Sequence, residues 1–360
     1  MTFEEARAQF PVLERSAFLN AGTNGPLARP TVEAMTAQVR ADLETGRGGP
    51  EYFERVHAVR SRVRARLAEL VGVGEEKLAL ATSTTNGCNI VVAGLGLQPG
   101  DEIVTTDGEH FGLLGALAAS PATVRVAEVR ELPPDAALER LLAAVSPRTR
   151  LLALSHVCWM SGNRFPILEL KEATGLPMLV DGAQSVGAIP VDASRVDFYA
   201  FSCQKWLCGP DGTGGLAVAE PEALAVAAPS YLSQERYEAA GEFSPRAGAL
   251  RFDPAWAAPP ALAGLDAALE LAPEWRFARA AETAARCREL LGERVELVTA
   301  PGQATLVCFR GDGDAAELAR KLYEQGVIVR DIPGTGWIRV SCGWWTSEDD
   351  LERLLAALAY

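Results

Sequence analysis

Apolar residues return along this chain at two spacings. Over about 31–43 and again over about 51–71 they recur every third or fourth position, which predicts two helices, the second with Arg55, Arg60, Arg62, Arg64 and Arg66 on its polar side. Short β-branched runs follow: EIVTT at 102–106, TVRVAEV at 123–129, RLLALSHV at 150–157, PMLVDGA at 177–183 and then DFYAFS. Helical stretches such as AALERLLAAV at 136–145 separate them. Strands that alternate with helices predict an α/β fold, with a mostly parallel sheet covered on both faces and its chemistry at the carboxyl ends of the strands. From about Ala261 the pattern changes. A helix, ALAGLDAALELA, is followed by strands RVELVT and ATLVCF, a helix AAELARKLYEQG, strands VIVRDI and WIRVSC, and a closing helix SEDDLERLLAALA. This is the pattern of a small α+β domain.

Composition narrows the picture. At 360 residues the chain is too long for one ordinary core, and 48% apolar with 22% charged residues describes a soluble globular protein. It has no run of eighteen apolar residues, and MTFEEARAQF lacks the basic start and apolar core of a signal peptide, so neither membrane nor export is expected and the cytoplasm is. A net charge of -13 argues against nucleic acid as a partner. The seven cysteines lie in apolar surroundings without C-x-x-C pairs, a pattern of buried reduced thiols rather than disulfides or a metal site.

Three stretches carry candidate chemistry. DFYAFSCQKWLCGPDGTGG, residues 197–215, holds a single basic residue, Lys205, just past a strand. PMLVDGAQSVG ends another strand in Asp181. Alone, Lys205 reads equally as a surface lysine whose stem is buried, and Asp181 as a helix cap. Together, an amine at one buried strand end and a carboxylate at a nearby one are the two groups a pyridoxal 5'-phosphate site requires: the amine bonds the cofactor's aldehyde, and the carboxylate keeps the pyridine nitrogen protonated. LALATSTTNG supplies a strand, hydroxyls and a helix start, which bind a phosphate without a lysine. The glycines after Lys205 are no Walker loop, because no G-K-[ST] follows.

VDGAQSVGAIPVDASRVDFYAFSCQKWLCGPDGTGGL resembles, in spacing and residue type, the signature of the class V aminotransferase and cysteine desulfurase group of fold type I pyridoxal phosphate enzymes. The resemblance implies a large cofactor domain over 17–262 with a mostly parallel seven-stranded-type sheet, and a small α+β domain from 1–16 and 263–360. It implies that Lys205 bonds the cofactor and then shuttles a proton, that Asp181 pairs with the pyridine nitrogen, and that Gln184 reaches the cofactor's phenolic oxygen. Ser202 and Gln204 would touch the phosphate, with Thr84 and Thr85 at the helix start. DGEHFG resembles the family's Glu-His segment and places His110 flat against the cofactor ring. WIRVSCGWWTSEDD is similar to the family's Arg-x-Ser segment and makes Arg339 the clamp for the substrate's α-carboxylate, a bidentate task. A homodimer acting on an amino acid is implied as well.

The chain also departs from that family. Trp159 stands where many relatives have an asparagine at the cofactor, and an indole N–H donates but cannot accept. Trp256, in RFDPAW, stands where desulfurases have a threonine that contacts the phosphate across the dimer. The loop DIPGTGW ahead of Arg339 carries no cysteine, whereas desulfurases place their persulfide-forming cysteine on a long loop there. Cys203, Cys208 and Cys342 read as structural thiols. Trp337, Trp344 and Trp345, with Asn24 in the N-terminal loop, suggest an aromatic substrate pocket, and core packing explains the tryptophans equally well. The expected function is therefore a class V aminotransferase; a β-eliminating carbon–sulfur lyase, with an isopenicillin N epimerase-like enzyme beside it, is the alternative. A non-catalytic cofactor-binding protein is the third reading, disfavoured by the joint presence of Lys205, Asp181, His110 and Arg339.

Overall fold

The β-branched runs form the middle layer of the molecule. In the computed structural model, which describes residues 1–236, 239, 241–254 and 257–359, the strands in chain order are β1 (Ala17–Phe18), β2 (Leu78–Ala81), β3 (Glu102–Thr106), β4 (Thr123–Ala127), β5 (Thr149–Ser155), β6 (Met178–Asp181), β7 (Phe198–Ser202), β8 (Gly214–Val218), β9 (Leu306–Arg310), β10 (Val327–Ile328), β11 (Arg330–Ile332) and β12 (Trp337–Ser341). The helices are α1 (Phe3–Arg7), α2 (Arg29–Thr45), α3 (Pro50–Val71), α4 (Thr84–Gly94), α5 (Phe111–Ala118), α6 (Pro134–Ala144), α7 (Ile167–Thr174), α8 (Pro259–Leu271), α9 (Arg276–Gly292), α10 (Ala315–Glu324) and α11 (Glu348–Leu358).

Seven strands make one sheet in the order β2-β8-β7-β6-β5-β3-β4, parallel throughout except that β8 runs antiparallel to both its neighbours. The two-residue period of a strand feeds both faces. Leu152 and Leu154 of β5 pack with Leu67, Leu141 and Leu170 from α3, α6 and α7. Leu151 and Ala153 pack the other way, with Val91 of α4 and Leu113 and Leu117 of α5. Each leucine so buried stabilises the fold by about 2 kcal/mol.

The C-terminal part is a three-stranded antiparallel sheet, β11-β12-β9, packed with α9, α10 and α11 around Val307, Phe309, Ile338, Val340, Leu322 and Leu354. β1 pairs in parallel with β10, so the segment up to Phe18 hydrogen-bonds within this part. α1 is fastened there by Arg7, which meets Asp350 of α11 at 2.8 and 3.1 Å.

Three expectations need correction. Arg60 and Arg64 do not lie on a solvated face of α3: both are buried and bond Asp253, a partner that helical periodicity cannot see. RVELVT forms only one isolated bridge, Leu297 to Phe309, instead of a strand, and the unpredicted α9 occupies the preceding stretch. Trp344 and Trp345 pack on Phe10 at ring distances of 5.6 and 6.1 Å, so they belong to the core that joins the chain's two ends and not to a substrate pocket.

Candidate active site

β5, β6 and β7 end at Ser155, Asp181 and Ser202, and the chain beyond β7 turns back with Lys205 facing a cavity of about 300 Å³. Across it lie the start of α4, the His110 loop, and the β11–β12 hairpin of the C-terminal part. The N-terminal loop closes one side because it has no side chain at two points. A Cβ on Gly22 would stand 2.8 Å from the Arg339 guanidinium, and one on Gly25 would stand 2.0 Å from the Lys205 carbonyl oxygen.

Burial governs the charges here. It pushes the Lys205 amine down to about 8; the opposing attraction of Asp181 is smaller, and Arg339 pushes the same way as burial. About one Lys205 in ten is then unprotonated at pH 7, against about one in three thousand for an ordinary lysine. Burial raises Asp181, and the Ala183 N–H at 2.9 Å, Lys205 and His110 pull it back. His110 is lowered by burial and by Lys205, against a smaller pull from Asp181, which favours the neutral ring. Its Nδ1 accepts the Gly112 N–H at 3.1 Å, and its ring meets Trp159 edge-on, 5.3 Å between centroids.

Arg339 is 1% exposed and is lowered to about 10 by burial. It donates to the Trp159 carbonyl at 2.8 Å and to Thr23 Oγ1 at 3.3 Å, its Nε has no partner, and no carboxylate among the described residues reaches it. Arg330 stands directly opposite Arg339 in the β11–β12 ladder and lines the same cavity. Its nearest carboxylate, Asp331, is 4.0 Å away. Like charges directly opposite in a hairpin repel. The cavity thus holds three cations, Lys205, Arg330 and Arg339, against one carboxylate, Asp181, in a chain whose net charge is -13. Arg330 is partly exposed, but a buried Arg339 and the Lys205 amine beside it, with a single carboxylate between them, call for anions from outside.

A family model described as Aminotransferase class-V matches residues 18–354. The chain belongs to the class V aminotransferase family. Among its relatives, isopenicillin N epimerase of Streptomyces clavuligerus is 33% identical, over 99% of this chain and 97% of the relative. A probable cysteine desulfurase of Pseudomonas aeruginosa is 34% identical, over 85% of this chain and 83% of its own length. Among solved structures, the cystine C–S lyase C-DES with its product cysteine persulfide superposes with a TM-score of 0.91 at 32% identity, over 98% of this chain and 99% of that one. A C-DES variant with glycine covalently linked to its PLP cofactor gives 0.92 at 32% identity, over 98% of each chain. The cofactor of this class V chain is pyridoxal 5'-phosphate.

The residues present fit that cofactor. The Trp159 indole N–H and the Gln204 amide oxygen are buried without partners, as is Arg339 Nε. At the start of α4, Thr84 N–H donates to Ser202 Oγ at 2.8 Å, and the two hydroxyls lie 2.7 Å apart. These groups, with Thr85, could take a phosphate at a helix N-terminus. Lys205 and Asp181 could take the aldehyde and the pyridine nitrogen. Gln184 donates to the Gly22 carbonyl at 2.8 Å and accepts from the Trp206 indole at 3.0 Å, so its amide orientation is fixed.

The structure brings Thr84, Thr85, His110, Trp159, Asp181, Gln184, Ser202, Gln204, Lys205 and Arg339 to one cavity. It does not bring Asn24 there; that residue is exposed and its neighbour Thr23 lines the wall instead. Trp256 lies outside the described residues. Sequence reasoning missed Arg330, Thr23 and Trp206. Arg330 was within reach: closing VIVRDI and WIRVSC over the four residues 333–336 pairs Ile332 with Trp337 and therefore Arg330 with Arg339.

Proposed function

We propose that this class V chain is a pyridoxal-phosphate-dependent lyase that removes the α-proton of an amino acid and expels a sulfur leaving group from its β-carbon. The observation that carries the reading is the Arg330–Arg339 pair on one face of the hairpin, which offers two anion sites: one for the α-carboxylate, one for a distal carboxylate or the departing sulfur anion. The similarity to the cystine C–S lyase over nearly the whole of both chains supports it. Desulfurase chemistry has little support, since the hairpin turn 333–336 carries no thiol and all seven cysteines are buried.

When bound, pyridoxal phosphate supplies a covalent handle for the substrate's amine and a sink for the electrons of the broken Cα–H bond. The chain's own residues do the rest. Arg339 would fix the α-carboxylate and so orient the amino acid; Asp181 would hold a proton on the pyridine nitrogen; His110, whose neutral form is favoured by burial, would lie beside the cofactor. Lys205, already partly unprotonated at pH 7, takes the α-proton. The C–S electrons leave with sulfur, Arg330 meets the anion, and hydrolysis of the carbon fragment gives pyruvate and ammonia.

Transamination is the second reading, favoured by the same clamp and base, and epimerisation stands beside it on the 33% identity to isopenicillin N epimerase. One experiment separates the three. Purified protein is incubated with cystine and a panel of L-amino acids, with and without a keto-acid acceptor, in deuterated water. Pyruvate and persulfide or thiol without acceptor are expected. Keto acid formed only with acceptor would replace the lyase by the aminotransferase, and deuterated, racemised amino acid by the epimerase. A persulfide on a cysteine in the intact-protein mass would restore the desulfurase. We also propose a homodimer, because Val39 and Leu43 of α2 are 54% and 83% exposed.

A further inference from the structure

Glu109 immediately precedes His110 and is itself buried. It accepts Thr106 Oγ1–H at 2.7 Å, the Ser155 N–H at 3.0 and 3.1 Å, and Ser155 Oγ–H at 2.5 Å. Thr106 ends β3, and Ser155 ends β5, where it is the register partner of Asp181. One carboxylate therefore ties the loop that presents His110 to the strand end beside Asp181. Every donor is neutral, and no cation among the described residues forms an ion pair with it. The titratable groups that face it are Asp181 on β6, Cys88 on α4 and Cys158 after β5.

We propose that Glu109 is a positioning residue: it holds the His110 loop in register with the Asp181 strand end, and its charge acts on the Asp181–Lys205 pair across the cavity floor. This rests on the reading of the cavity as the cofactor site. Burial raises Glu109 to about 7, against the hydrogen bonds of Ser155 and Thr106, so the charge changes within the working range of an enzyme. A protonated carboxyl carries an O–H that needs an acceptor, so one of the Thr106 and Ser155 hydroxyls turns round to receive it. Deprotonated, it adds a second buried negative charge near Asp181, which favours the proton on Lys205.

The test uses Glu109→Gln, which keeps the shape and loses the charge, and Glu109→Asp, which keeps the charge but shortens the reach. Three quantities are read: kcat and KM on the amino-acid substrate, the pH midpoint of the bound cofactor's visible band, and cofactor affinity by dialysis. E109Q is expected to lower the band midpoint by about half a unit or more. E109D is expected to leave the midpoint in place and to lower kcat on the order of 10-fold to 100-fold with KM nearly unchanged, through misplacement of His110. A fall in activity with an unmoved midpoint in E109Q makes Glu109 a structural residue only and overturns the proposal, as do two variants that match wild type. If E109Q does not fold, an E109D variant with unaltered kcat overturns it alone. Wild-type protein that binds no cofactor overturns the reading of the cavity itself, a different failure that shows before any variant is made.

Discussion

The molecule gathers arginines around a buried carboxylate in two places, and they are opposites. Under α3, Arg60 and Arg64 converge on Asp253 at 2.7 Å each, while Asp253 also takes the Leu80 N–H at 3.0 Å and Arg64 donates to the Leu78 carbonyl. In the cavity, Lys205, Arg330 and Arg339 face Asp181, and no contact ion pair joins them to it. The first cluster pairs its cations with a carboxylate of the same chain and fixes α3 to β2. The second is left short of anions in a chain with an excess of them, which is the arrangement a site for an anionic cofactor and substrate needs. Burial of charge alone does not mark function; burial without an internal partner does.

The contrast breaks most sharply at Lys205. Lys205→Ala should abolish covalent attachment of the cofactor and lower turnover by on the order of 10³-fold or more, because both the covalent handle and the base are lost. Borohydride reduction followed by peptide mass mapping checks it; a modified peptide that excludes Lys205 contradicts the assignment.

Asp253→Ala and Arg339→Met then test the two clusters against each other with opposite signs. Asp253→Ala strands two buried guanidiniums and should cost about 3–5 kcal/mol in unfolding free energy by urea titration, with little change in cofactor affinity per folded molecule. Arg339→Met removes a buried cation that has hydrogen bonds to Trp159 and Thr23 but no carboxylate partner, so the cofactor-free protein should keep or gain stability. Its KM for an amino acid should rise by on the order of 10²-fold with the loss of about 2–3 kcal/mol of charge-assisted hydrogen bonding. A destabilised Arg339→Met with unchanged KM would assign Arg339 to the structural class.

The same distinction explains what could be seen in the sequence. The sheet was legible because a buried parallel strand must be apolar on both faces, as MLVD at 178–181 is. Lys205 and Asp181 were legible because a charge at the end of such a run has no solvated alternative nearby. The arginines of α3 were misread because a buried ion pair depends on a residue far along the chain, and helical spacing places Arg60 and Arg64 without regard to Asp253. α9 escaped because RFARAAETAARCRELLG has only a narrow apolar stripe, and it folds against β9. The part Glu109 plays is hidden in the sequence because Ser155, whose N–H and hydroxyl engage it, becomes its neighbour only when β3 and β5 pair.

The smallest effect is a pH dependence of stability in the cofactor-free protein, read as the difference between wild type and Lys205→Met. Burial lowers Lys205 from its ordinary 10.5 to about 8. Below pH 8 the amine is protonated in both folded and unfolded chains, and the folded chain bears the full cost of a buried charge. Between about 8 and 10.5 the unfolded chain still holds the proton that the folded one has released, so stability rises with pH through this window. Above it neither chain is charged at Lys205 and the cost is gone. Lys205→Met should therefore be more stable than wild type at pH 7, on the order of 1–3 kcal/mol after allowance for water in the cavity, and the gap should close as pH rises past about 10. Asp253→Asn compared with wild type should show no such closing gap, because both proteins keep Lys205 and its contribution cancels. Urea titrations of the dialysed proteins across that range decide it: a gap that stays constant with pH would mean that Lys205 is solvated like a surface lysine, and the argument from an unpartnered buried amine would fail with it.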